Sequence, residues 1–204
     1  MLTVVTPAAH TRLTTLDAVK VELQLTGTAD DSWMADLIDS ASATIGRYVN
    51  RVLPREGVRE TWRLSHPEPS LLLTRWPLAA LTSITEAGIP LDPIQYEVDQ
   101  YGAVWRLDGQ DHLQAWACGK VVANYTAGYL LPEDAGRDLP EDIERAAVLL
   151  VKSAYFSRTR DPLVKSETVP GVLSTTWAVG GAGEDGALPP EVEALLCSYR
   201  MPGV

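Results

Sequence analysis

The chain has 204 residues, 46% of them hydrophobic and 22% charged, a balance that excludes wholesale disorder, collagen-like sequence and a disulfide-dense miniprotein. No run reaches ~18 apolar residues, so a membrane-spanning helix is not expected. Net charge is −10, from 17 basic and 27 acidic residues, and the densest basic stretch is only Arg158, Arg160 and Lys165, which argues against a grip on duplex DNA by phosphate neutralisation.

Residues 1–13 read as a loose arm without the basic-then-apolar pattern of a secretory signal. Thr14 or Thr15 can cap a short helix from Leu16 to Leu25, stopped at Thr26-Gly27. Asp30 and Asp31 open a long helix over about residues 30–52, ended by Pro54. Its apolar stripe is Trp33, Leu37, Ala41, Ile45, Tyr48 and Val52, widened by Ile38 and Val49.

From Val58 to Tyr129 the period changes to two. Trp62 and Leu64, Tyr96 and Val98, Val104 to Leu107, and Val121, Ala123 and Tyr125 mark short strands, with Gln100-Tyr101-Gly102 as a hairpin loop. Pro and Gly punctuate the segment, which predicts a small antiparallel lobe. A third helix spans about 139–160, with Ile143, Ala147, Leu150, Val151, Ala154 and Tyr155 as its buried stripe.

Beyond Pro162 an extended Thr- and Val-containing stretch leads into a glycine tract, Gly180 to Gly186, that composition reads as a hinge. A short amphipathic helix follows, with Val192, Leu195, Leu196 and Tyr199 on one face. A helix this short needs a surface to dock on. The expected class is α+β: a helical core with an inserted β lobe and an extended C-terminal arm ending in a short helix. The predicted divisions are 1–57 and 130–161 for the two parts of the core, 58–129 for the lobe, and 162–204 for the arm, hinge and docking helix.

The chemistry-bearing residues do not assemble by sequence. Cys118 and Cys197 are two distant thiols. The glycine tract lacks the Gly-Lys-Ser/Thr ending of a phosphate loop. Asp108, Asp111 and His112 are close enough to bind a cation, but read better as a polar loop. Asp36 and Asp39 share the polar face of the second helix, the pattern of a solvated face or a subunit contact.

The opening "LTTLDAVKVELQLTGTADDSWMADLIDSASATIGRYVNRVL" resembles the start of the head–tail connector (neck adaptor) proteins of tailed phages, with Ile45, Tyr48, Arg51 and Leu53 in their helix-end pattern. "RWPLAALTSI", "PLDPIQYEVDQYGAVWRL", "VVANYTAGY" and "LPEDIERAAVLLVKSAYFSRTRDP" are similar to the longer members, including those of gene transfer agents. The resemblance runs over roughly residues 14–200. It implies a structural, non-enzymatic protein of the virion neck, made in the bacterial host cytoplasm, with no cofactor and no membrane contact. It implies a ring of about twelve subunits beneath a portal protein. The ring would extend the DNA channel without binding DNA specifically and would offer a platform to a stopper or tail protein.

On that expectation the C-terminal helix is the portal-binding element, through Leu188, Val192, Leu195, Leu196, Tyr199 and Arg200. The extended arm is an inter-chain strand (Val172, Leu173, Thr175, Trp177, Val179), and the flanks of the two long helices supply the ring interface (Asp36, Asp39, Arg47, Glu144, Arg145, Lys152). The alternatives are another virion structural role, a DNA-binding packaging component, or a metal-dependent hydrolase whose site forms on assembly from Asp108, Asp111 and His112.

Overall fold

The computed structural model describes residues 1–158 and 188–201, together with the backbone of Ser166–Val169 and Leu173–Thr176. The chain divides into two compact units. One comprises residues 1–10 and 51–130, the other 11–50 and 131–204. Mixed helices and antiparallel sheets make it an α+β protein.

The helical unit begins with α1 (Leu16–Leu23), capped by Thr15, whose hydroxyl oxygen accepts from the Ala18 amide at 3.2 Å. Gln24 takes a left-handed conformation (φ 55°) and ends α1 there, three residues before the expected glycine stop. Helix α2 (Asp31–Val49) likewise ends on a left-handed residue, Asn50, before Pro54 can act. Its fully buried line is Met34, Ile38, Ala41, Ile45 and Val49. Trp33, Leu37 and Tyr48 lie half-buried at its margins, so the stripe is rotated from the expected one. Helix α3 (Glu141–Ser157) buries Ile143, Ala146, Ala147, Val148 and Val151. Val19, Met34, Ile38, Ala41 and Val151 form one core cluster joining α1, α2 and α3.

The sheet unit holds nine strands. Strand β1 (Leu2–Thr6) is a paired edge strand rather than a loose arm. Its partner is β2 (Glu56–Leu64), some fifty residues away in sequence. Strands β3 (Ser70–Leu72), β4 (Leu78–Glu86), β5 (Ile89–Pro90), β6 (Tyr96–Val98), β7 (Ala103–Leu107), β8 (Leu113–Gln114) and β9 (Gly119–Ala127) follow. They form a five-stranded sheet in the order β1-β2-β9-β4-β5 and a four-stranded sheet of β3, β7 and β6 with β8 on β7, all antiparallel.

Trp116 is the centre of this unit's core, fully buried with Val58, Leu71, Ile84, Val104, Val121 and Tyr125 around it. Its indole N–H donates to the Val104 carbonyl at 3.0 Å, which satisfies the ring's one polar atom. At the expected hairpin, Gly102 has φ +84°, and a Cβ there would meet the Trp76 ring at 3.0 Å.

Strands β10 (Ser166–Val169) and β11 (Leu173–Thr176) pair with each other as an antiparallel ribbon. The extended stretch therefore has a local partner. Val172, Trp177, Val179 and the glycine tract lie outside the described residues.

Candidate functional site

The helical unit carries most of the charge, with eighteen acidic against ten basic residues. Its ion pairs are organised around a few nodes. On α1, Glu22 accepts from Arg145 and from Lys152, each at 2.7 Å. Hydrogen bonds from Arg145 first and Lys152 second draw its carboxyl down to about 2. Arg12 makes a bidentate contact with Asp39 at 2.7 and 2.9 Å, and that guanidinium holds the Asp39 carboxyl below its usual range. Arg137 pairs with Glu144 at 2.8 Å, and Lys20 with Asp31 at 2.6 Å. At the end of α3, Arg158 reaches Asp30 at 2.8 Å and lies over the Trp33 ring at 4.6 Å.

The six expected ring-interface residues thus fall into different settings. Arg145 and Lys152 both sit on Glu22, Glu144 on Arg137, and Asp39 on Arg12. Arg47 donates to the Thr44 hydroxyl at 3.3 Å. Asp36 is exposed, and neither it nor Arg47 has an ion pair among the described residues.

Helix α4 (Pro190–Leu196) packs against α3, and in the following turn (Cys197–Tyr199) the Tyr199 hydroxyl donates to Asp142 at 3.4 Å. Val192 and Leu196 are fully buried, at 1% and 0% exposure, and Leu195 is half-buried. The Tyr48 hydroxyl donates to Glu193 at 3.0 Å. The Met201 amide donates to the Val49 carbonyl at 2.9 Å, and Arg200 stacks over Tyr48 at 5.4 Å. The surface that this short helix needs is thus supplied, for Val192 and Leu196, within its own unit. Val192 and Leu196, four apart, occupy one line of the helix, while Leu188, Leu195, Tyr199 and Arg200 remain partly or fully accessible. Leu188 and Pro189 line a groove with Leu37, Ala41, Leu150 and Ala154, about 360 Å³ in volume.

Asp108 and His112 serve a turn. One Asp108 carboxylate oxygen accepts from the Gln110 amide at 2.7 Å and the His112 amide at 3.2 Å, and the other lies 3.0 Å from His112 Nδ1. Those contacts, the Gln110 amide foremost, lower the Asp108 carboxyl. Asp111 occupies the left-handed position of the same turn, at φ 68°. Among the described residues no three His, Cys, Asp or Glu side chains converge on one point. Cys118 and Cys197 are both exposed free thiols.

The family model described as head completion protein matches residues 12–202. The chain belongs to the head completion protein family. No curated protein matches it. This head completion protein is similar in fold to a chain in the neck of an empty gene transfer agent (GTA) particle computed with C6 symmetry. The TM-score is 0.59 at 22% identity, covering 100% of this chain and 97% of that one. A chain in the virion of a native GTA particle gives the same values. A chain in the neck of a native GTA particle computed with C12 symmetry gives 0.57 at 20% identity, with the same coverage. The sequence resemblance to the connector proteins of phages and gene transfer agents is borne out at the level of family and fold.

Proposed function

We propose that this head completion protein is a structural head–tail connector of a phage or phage-like particle. The observation that carries the reading is a family match spanning residues 12–202, nearly the whole chain. Its place is the virion neck, after synthesis in the cytoplasm of a bacterial host. There about twelve copies form a ring under the portal, extend the DNA channel and seat a stopper or tail protein. An acidic wall lets DNA pass without sticking. The protein does no catalysis and takes no cofactor.

In this reading the helical unit is the core of the ring and the sheet unit is inserted in it. The flanks bearing Asp36, Asp39, Arg47, Glu144, Arg145 and Lys152 supply the ring contact, and Asp36 and Arg47 are the members without an ion pair among the described residues. Portal contact falls on the outward residues of the C-terminal helix, Leu188, Leu195, Tyr199 and Arg200, with Val192 and Leu196 anchoring it from beneath. The segment holding Val172, Leu173, Thr175, Trp177 and Val179 adds to a neighbouring chain, for which the β10–β11 ribbon, paired only with itself among the described residues, offers main-chain donors and acceptors.

The test is removal of the protein from a particle-producing strain. DNA-filled heads without tails, with tailed particles restored when the chain is resupplied, are the expected result. Normal numbers of tailed particles without it would overturn the proposal.

A further inference from the structure

The outer face of the five-stranded sheet concentrates positive charge that the sequence disperses. Arg59 and Arg63 alternate outward along β2, while Val58 and Glu60 point into the core. Across the β2–β9 ladder Arg63 stands opposite Lys120, and Arg59 opposite Asn124. All three cations are exposed. Arg59 Nε donates to Asn124 Oδ1 at 2.9 Å, and Asn124 donates in turn to Ser83 on β4 at 3.0 Å, so the guanidinium is held in place by a neutral relay.

The carboxylates of β2 and β4 are occupied elsewhere. Glu60 is buried with Thr74 and Tyr125, Glu86 binds Arg106, and Glu56 lies beside Arg75. Arg63 and Lys120 consequently have no ion pair among the described residues. Like charges directly opposed across a ladder destabilise it, so this arrangement calls for an anion from outside the unit.

The chain itself offers the complementary charge, because its helical unit holds eighteen acidic and ten basic residues. A cyclic ring also requires each subunit to present two different patches that fit each other. We propose that the Arg59–Arg63–Lys120 face of one copy docks on the acidic α2 flank of the next copy, where Asp36 is exposed beside the Arg12–Asp39 pair. This rests on the ring reading above and names what its α2 acids meet.

The full chain and an Arg63→Glu/Lys120→Glu variant are to be compared by mass photometry at low and high salt, with circular dichroism as the fold check. Wild type assembles at low salt and loses assembly as salt screens the contact. The folded variant needs roughly tenfold more protein or more for half-assembly, and adding Asp36→Lys restores it toward wild type. Should the double reversal fail to fold, Arg63→Gln/Lys120→Gln shows the same loss without added acids. Assembly unchanged in the folded variant, or no recovery with Asp36→Lys, would overturn the proposal. So would intact assembly with loss of duplex DNA binding, which would mark the face as a phosphate contact. A wild-type chain that never assembles would overturn the ring reading itself.

Discussion

Tyr48 on α2 donates its hydroxyl hydrogen to Glu193 on α4 at 3.0 Å, tying the C-terminal helix to α2 within the helical unit. Desolvation and the adjacent Glu193 carboxylate both raise the phenol's pKa, so it remains a donor at neutral pH. A helix of seven residues does not persist alone in water. It persists here because Val192 and Leu196 are buried beside that hydrogen bond.

Truncation of the helix's buried side chains should therefore weaken the isolated protein. Leu196→Ala is expected to cost about 2–5 kcal/mol, the range for a buried Leu, read from the urea midpoint. Leu195→Ala, at a half-buried position, should cost clearly less while reducing portal binding. Equal stability losses at the two positions would contradict the assignment of an inner and an outer side.

Acid sensitivity has an identifiable contributor in Glu22. Hydrogen bonds from Arg145 and Lys152 draw its folded carboxyl down to about 2 from an ordinary value of 4.5. A depressed pKa contributes stability that is present above the unfolded value and is lost as pH falls toward the folded one. Glu22→Gln should accordingly flatten the dependence of melting temperature on pH between about 4.5 and 2. A variant whose acid limb is as steep as that of wild type would remove Glu22 from the account.

Gly128 closes β9 at φ +97°, and a Cβ there would lie 2.4 Å from the Pro54 carbonyl oxygen. Gly88 has a similar φ of +85° but open space around it. Gly88→Ala should cost about 1–2 kcal/mol for the left-handed backbone alone. Gly128→Ala adds a clash with main chain and should be markedly worse, with loss of soluble protein as the extreme. Similar melting temperatures for the two variants would contradict this reading of the closure.

Much of the architecture was legible because it rests on local periodicity. The stripes containing Ile38, Ala41 and Ile45 on α2, and Ile143, Ala147 and Val151 on α3, are visible at three- and four-residue spacing. The alternation of Val121, Ala123 and Tyr125 likewise marks β9. What depends on distant pairing was not legible. Leu2–Thr6 is too short to declare itself a strand until β2 supplies a partner. The charges at Glu144, Arg145 and Lys152 look free for a neighbour until Glu22 and Arg137 fold against them. Arg63 and Lys120 lie far apart in sequence, and only the β2–β9 register sets them face to face. The seat of Val192 and Leu196 was missed for the same reason, since amphipathic spacing shows that a helix docks and leaves open on what.

The central claim, a connector ring at the junction of head and tail, is tested most directly by electron microscopy of the purified full chain mixed with its portal protein. The account predicts rings of about twelve copies seated coaxially on the portal, lost when Leu195 and Tyr199 are both replaced by Asp in a chain that still folds. Portal particles that remain bare at saturating chain, or chain bound as scattered single copies without rotational symmetry, would contradict it.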